Sequence, residues 1–111
     1  MYRGDVVIIA QKGVYEGKPR PAVVVQNQAL LEDHPSILVC LISAGEQNLD
    51  DVFYRIAVQP SSRNGLKEAS TILADKIATI RRKNIGGVIG RLEEAALGRL
   101  DSALALFQGL A

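Results

Sequence analysis

Apolar residues recur along this chain with two periods, and the change from one to the other divides it into a long β part and a short helical end. Val6 to Ala10 is an unbroken run rich in β-branched residues, which predicts a strand buried on both faces. Gln11 to Pro19 breaks the run, with Gly13, Gly17 and Pro19 set around Lys12, Tyr15, Glu16 and Lys18. That is a loop too long for a tight hairpin. Ala22 to Gln26, after Pro21, reads as a second strand, and Asn27 to Pro35, polar around Leu30 and Leu31, as a short helical turn. Ile37 to Ser43 is a third strand and Ala44 to Asp51 a polar loop. Val52 to Val58 alternates, with Val52, Tyr54, Ile56 and Val58 on one face and Phe53, Arg55 and Ala57 on the other. Pro60 to Gly65 is turn chemistry. Thr71 to Ala74 and Ile77 to Ile80 predict short strands on either side of Asp75-Lys76, and Gly86, Gly87 and Gly90 read as turn glycines.

From Leu92 the period becomes that of a helix. Leu92, Ala96, Leu100, Ala103, Leu104 and Phe107 fall three and four apart on one face. Glu93 and Glu94 fall in the first turn, where the helix dipole favours negative charge. Arg91 and Leu92 stand where a capping Ser or Asp is expected, and Gly98 implies close packing against a strand. The ending, Phe107 to Ala111, reads as packing. The pattern predicts a mainly β fold: five to seven short strands in a small barrel, with short helical turns and a C-terminal α-helix. Residues 1–111 form one domain.

Composition narrows the function classes. At 111 residues, 48% hydrophobic and 23% charged, the chain is an ordered globular domain with room for one real core. A net charge of +1 means that any anion site is a local gathering of Lys and Arg. The single cysteine, Cys40, lies in an apolar run and reads as a small buried hydrophobe in a reducing compartment. The start, Met1-Tyr2-Arg3-Gly4-Asp5, lacks the pattern of a secretion signal, and no apolar run is long enough to cross a bilayer. The expectation is a cytoplasmic protein with no membrane contact, its Arg3-Gly4-Asp5 leading into a strand.

The inventory of reactive groups is poor. His34 is the only histidine and reads as a solvated surface residue, so a two-histidine acid–base scheme is unavailable. One His and one Cys do not make a zinc set, and Asp50-Asp51 reads as solvated carboxylates, so no metal site is expected. Gly86 to Gly90 lacks the Gly-Lys-Ser/Thr ending of a phosphate loop, and Ser43 has no histidine placed to activate it. Arg, Ser, Asp and Lys at strand ends remain. That set suits RNA cleavage, because RNA carries its own nucleophile, the 2′-hydroxyl, beside the scissile bond. A guanidinium offers a planar fork to phosphate oxygens and stays charged at any relevant pH.

Several segments, in order, resemble the MazF/PemK/Kid toxin family. They are Arg3-Gly4-Asp5-Val6-Val7, Lys18-Pro19-Arg20-Pro21-Ala22-Val23-Val24-Val25, Val39-Cys40-Leu41-Ile42-Ser43, Ala74-Asp75-Lys76-Ile77-Ala78-Thr79-Ile80, and Ile89-Gly90-Arg91-Leu92 with the leucine-rich helix after it. The resemblance spans essentially the whole chain. It implies an SH3-like barrel, a homodimer, and metal- and cofactor-independent cleavage of single-stranded RNA to 2′,3′-cyclic phosphate and 5′-hydroxyl ends. A cognate antitoxin whose flexible C-terminal segment occupies the RNA groove is implied as well. The family's catalytic arginine falls on Arg20, its threonine on Ser43, and the carboxylate used in part of the family on Asp75. The chain departs from the pattern at Leu73, where the Kid branch has arginine, and at Leu41, Lys76 and Ala78.

Each residue keeps an ordinary alternative. Arg20 is either a solvated arginine or the phosphate-binding group, and Ser43 either a turn maker or a phosphate donor. Asp75 either caps a turn, pairs with Lys76 or moves a proton. Arg81-Arg82-Lys83 is a solvated face or a phosphate track. Tyr15 and Lys18 belong to a loop tip or clamp a base, and Lys76 joins Arg81 as an RNA-binding candidate. Two other functions use the same barrel: a gyrase-poison-like protein acting through its C-terminal helix, and a catalytically decayed toxin acting by protein binding.

Overall fold

A computed structural model describes residues 1–14, 17–45 and 52–111. The element order is β1 (Asp5–Ile9), β2 (Arg20–Val24), a 3-10 turn (Gln28–Leu30), β3 (Ser36–Ala44), β4 (Arg55–Val58), β5 (Ser70–Arg81), a second 3-10 turn (Arg82–Asn84), β6 (Ile85–Arg91) and α1 (Glu94–Phe107). The six strands form one antiparallel sheet in the order β4-β5-β3-β2-β1-β6. This is the mainly β fold with a C-terminal helix that the pattern predicts. The sheet is not closed, since β4 and β6 are its edges, and a barrel describes it only loosely. The turn after β4 reaches across to β6, where Arg91 N donates to Arg63 O at 2.8 Å.

Strand alternation gives the sheet two apolar faces. One carries Val6, Val23, Cys40, Ile42 and Ile72 and is covered by Ala96, Leu100, Ala103 and Leu104 of α1. The other carries Val7, Ile9, Ala22, Val24 and Val39, with Leu31, Ile37 and Ile80 completing a second cluster. A fully buried Leu or Ile contributes about 1.5–3 kcal/mol, so two clusters hold a chain of this size without a disulfide. Cys40 is the buried hydrophobe expected, and burial pushes its thiol up to about 12.

Several predicted boundaries move, each for a physical reason. The strand expected from Val52 starts only at Arg55, because Arg55 N closes a turn on Val52 O at 3.2 Å. The two short strands around Asp75-Lys76 are one twelve-residue strand. Its register jumps from Cys40–Ile77 to Leu41–Leu73, so Ala74, Asp75 and Lys76 form a β-bulge. Gly86, Gly87 and Gly90 lie within β6 rather than in turns. Phe107 is 49% exposed and packs edge-on against Tyr54 at 5.3 Å instead of entering the core. Leu110 is exposed too, so the ending does not pack as expected. Gly98 faces open space, contrary to the close packing its position suggests. The loop expected at Ala44 to Asp51 lies outside the described residues from 46 onward.

The N-terminus of α1 replaces the missing cap with a tertiary one. Glu93 is the N-cap itself, and its side chain bonds no helix N–H. Its carboxylate accepts from Ser61 Oγ at 2.6 Å and from Asn64 Nδ2 at 3.0 Å. The Ser61 bond holds the Glu93 carboxyl below its ordinary 4.5, with Asn64 adding and burial opposing. A folded value below the unfolded one contributes stability above that ordinary value, and the contribution disappears as pH falls through the folded value. Glu93→Gln is therefore expected to flatten the acid limb of a urea-midpoint-versus-pH curve below about pH 5. An acid limb identical to that of the parent chain would contradict this role.

Candidate functional site

Arg20 is the first residue of β2, set between Pro19 and Pro21. Proline before it leaves the chain without an amide donor just ahead of the strand, so pairing begins at the arginine. Its Cα partner on β1 is Ile9. On the other side β2 meets β3 in the register Val23–Cys40, Ala22–Leu41. Carried two residues beyond its last pair, Ala22–Leu41, that register would bring Arg20 to Ser43. Alternation puts both on the face of Ala22 and Leu41, at the open end of the second core cluster. Arg20 is exposed and forms no ion pair among the described residues. Ser43 is half-buried near the end of β3, and its partner on β5 is Thr71.

Asp75 stands apart from that pair. It lies four residues beyond Thr71 along β5, roughly 10–13 Å at the usual rise. Its Oδ2 accepts from Arg55 Nη2 at 3.1 Å, so its partner is Arg55 and not Lys76 or a turn. Both side chains are mostly buried, 29% exposed for Arg55 and 18% for Asp75. Arg55 Nε and Asp75 Oδ1 are buried without a hydrogen-bond partner among the described residues. The Arg55 guanidinium also lies 6.0 Å from the Tyr54 ring centre. The structure thus pairs Asp75 with Arg55, while Arg20 and Ser43 lie at neighbouring ends of β2 and β3. One row of Cα partners, Ala22, Leu41, Leu73 and Arg55, runs across the four strands beside them. Arg55 is the site residue that sequence reasoning missed. Its only signal was a charge on the face opposite Ile56 and Val58, and its partner depends on the β4–β5 register.

The charges are sorted more sharply than a net +1 suggests. Arg3, Arg55, Arg63 and Arg91 take up Asp101, Asp75, Glu94 and Asp5 in ion pairs. Lys12, Lys18, Arg20, Lys76, Arg81 and Lys83 are exposed and have no ion pair among the described residues. Arg82, by contrast, is structural, since its guanidinium donates to the carbonyls of His34 and Leu31. Gln11 ties the start of the Lys12–Lys18 loop to the far end of β5 by accepting from Arg81 N at 2.9 Å and donating to Thr79 O at 3.3 Å. Tyr15 lies outside the described residues. His34 is exposed, as expected, with Nδ1 against the Ser36 backbone. Among the described residues, no three His, Cys, Asp or Glu side chains gather in the way a metal ion requires.

An open antiparallel sheet with one covering helix, and an exposed arginine facing a serine at its strand ends, define a class that a family comparison makes definite. The model of the PemK-like, MazF-like toxins of type II toxin–antitoxin systems matches residues 2–108, and the chain belongs to that family. Among individual relatives it is 32% identical over 111 residues to the "Probable endoribonuclease MazF" of Mycolicibacterium smegmatis, covering 100% of this chain and 99% of the relative. Two solved structures share its fold. A mycobacterial endoribonuclease in complex with its cognate antitoxin superposes with a TM-score of 0.80 at 22% identity, over 100% of this chain and 97% of that one. The MazF of a MazE–MazF complex from Deinococcus radiodurans gives 0.79 at 16% identity, over 100% and 98%. No helix among the described residues is long and apolar enough to cross a membrane.

Proposed function

We propose that this chain is the toxin of its system by virtue of endoribonuclease activity: it cuts single-stranded mRNA at short sequences and thereby stops translation and growth. The 2′-hydroxyl of the RNA attacks the adjacent phosphorus, the P–O5′ bond breaks, and a 2′,3′-cyclic phosphate and a 5′-hydroxyl remain. The observation that carries this reading is Arg20 at the start of β2, exposed, free of any carboxylate among the described residues, and at the end of β2 that antiparallel pairing sets beside the Ser43 end of β3. Its guanidinium binds the scissile phosphate and stabilises the charge that builds on the phosphorane. The Ser43 hydroxyl donates to a second phosphate oxygen. Lys18, Lys76 and Arg81, exposed on the same molecule, hold the flanking backbone, and Tyr15 stacks on a base. No metal or cofactor takes part, because the nucleophile comes with the substrate and the fixed charge is supplied by arginine.

The protein works in the cytoplasm as a homodimer. Its antitoxin silences it by laying a flexible C-terminal segment along the RNA groove, where carboxylates meet the same unpaired cations. Ser43 tests the donor role separately. Ser43→Ala is expected to slow cleavage about 10- to 100-fold, and Ser43→Thr to keep near-parental rates because the hydroxyl survives. Equal rates for Ala and Ser would contradict the assignment. Incubation of the purified chain with a long mixed RNA, followed by mapping of fragment ends, tests the function as a whole. Growth arrest with intact RNA would instead support action by protein binding through the exposed Phe107 and Leu110 of the helical end.

A further inference from the structure

We infer that Arg55 is a second RNA-contacting cation of this site and that Asp75 acts through it, as a positioning residue and not as a proton-transfer group. The inference rests on the RNA-cleaving reading above. Of the four ion pairs among the described residues, Arg3–Asp101 and Arg63–Glu94 tie α1 to the chain start and to the turn after β4, whereas Arg91–Asp5, like Arg55–Asp75, joins strands that are already paired. Arg55–Asp75 ties nothing that lacks another connection, because β4 and β5 are already paired from Arg55–Leu73 to Val58–Ser70. Its geometry is also poor for a structural pair. A guanidinium and a carboxylate can meet through two parallel bonds, yet here one Nη meets one Oδ, and Nε and the other Oδ stay buried and unpartnered. Burying two charges is costly unless their remaining donors and acceptors are satisfied, so stability alone gives no reason for this pair.

The arrangement does suit a cation aimed at a ligand. A guanidinium has five N–H donors, and a single bond to Asp75 is all that Arg55's side chain forms among the described residues. Its side chain is partly exposed, and its Cα lies in the row of Leu73, Leu41 and Ala22 that crosses the sheet. The two arginines, one on β2 and one on β4, sit on either side of β3 and β5. A chain of phosphates laid across those strands would meet Arg20 at the scissile phosphate and Arg55 at another. The Asp75 carboxylate, already accepting from Arg55, fixes the direction of that guanidinium.

A double-mutant cycle read by cleavage and by RNA binding tests this. Arg55→Gln is expected to slow cleavage about 10²-fold. Asp75→Asn should also slow it, and the double variant should be no slower than Arg55→Gln alone, because Asp75 has nothing left to position. In an Arg20→Ala background, which leaves the RNA uncut, Arg55→Gln should reduce the slope of log affinity against log salt by about 0.7. Should Arg55→Gln fail to fold, Arg55→Leu with Asp75→Leu removes both charges into an apolar setting and is expected to give the same loss of slope. Full additivity of the two single losses, or a pH–rate limb that vanishes with Asp75→Asn alone, would overturn the inference. So would an unchanged salt slope in a folded Arg55 variant. Failure of the parent chain to cut any RNA would instead overturn the cleavage reading itself.

Discussion

Arg20→Ala is expected to lower RNA cleavage by about 10³-fold or more while leaving the thermal midpoint within a degree or two of the parent. The two halves of that expectation have separate causes. Arg20 is exposed at a strand end, forms no ion pair among the described residues and lies outside both core clusters, so its loss removes little packing. Its proposed work, neutralising charge that exists only as the phosphorane forms, has no substitute once the guanidinium is gone. Arg20→Lys keeps the charge but loses the fork, and an intermediate rate is expected. A folded Arg20→Ala protein that cuts at the parental rate would remove the arginine from the mechanism.

The second large effect is on stability and concerns β6. Gly90→Ala is expected to destabilise the fold by about 3–5 kcal/mol, a large part of what a domain of this size has. A Cβ at position 90 would sit 2.3 Å from the Asn64 carbonyl carbon and 2.5 Å from Arg63 O. Those are backbone atoms of the turn that links β4 toward β6, and they have nowhere to go. Asn64, fully buried, locks the turn: its Oδ1 accepts from Ser61 N and Leu66 N, and its Nδ2 donates to Gln59 O and Glu93 Oε1. Gly98→Ala is the contrasting control. Nothing lies within 4 Å of a Cβ there, and the helix should gain about 1 kcal/mol. Urea midpoints that moved equally for both substitutions would contradict the close approach at β6.

The comparison of sequence with structure divides by the range of the interactions involved. β1, β2, β3 and α1 were legible because each is set by its own pattern: apolar β-branched runs, and a three- and four-residue repeat from Leu92. The failures depended on neighbours far away in sequence. Gly86, Gly87 and Gly90 looked like turn residues, but they belong to a strand paired with β1, and the turn at 61–65 packs onto Gly90. Asp75-Lys76 looked like a break because a bulge, which lets one strand continue past two polar residues, exists only relative to the partner strand. The same division applies to the site. Arg20 and Ser43 were read from motifs within strands, and the antiparallel β2–β3 pairing puts those strand ends side by side. Arg55 needed the β4–β5 pairing, and it, not Lys76 or a turn, is the partner of the Asp75 carboxylate. Net charge is equally uninformative about the ion pairs: each takes up one arginine and one acid, so a composition count cannot single out which cations stay unpaired.

In the proposed mechanism the substrate brings its own nucleophile to a fixed guanidinium at position 20. Once the cut site has been mapped on a long RNA, a short single-stranded oligonucleotide containing it can be made with one 2′-deoxy sugar, 5′ to the scissile phosphate. With a chelator present, the all-ribose strand should be cut to a 2′,3′-cyclic phosphate and a 5′-hydroxyl, and the 2′-deoxy strand should remain whole. Cleavage of the 2′-deoxy strand at the same bond, or products bearing a 5′-phosphate, would contradict the account.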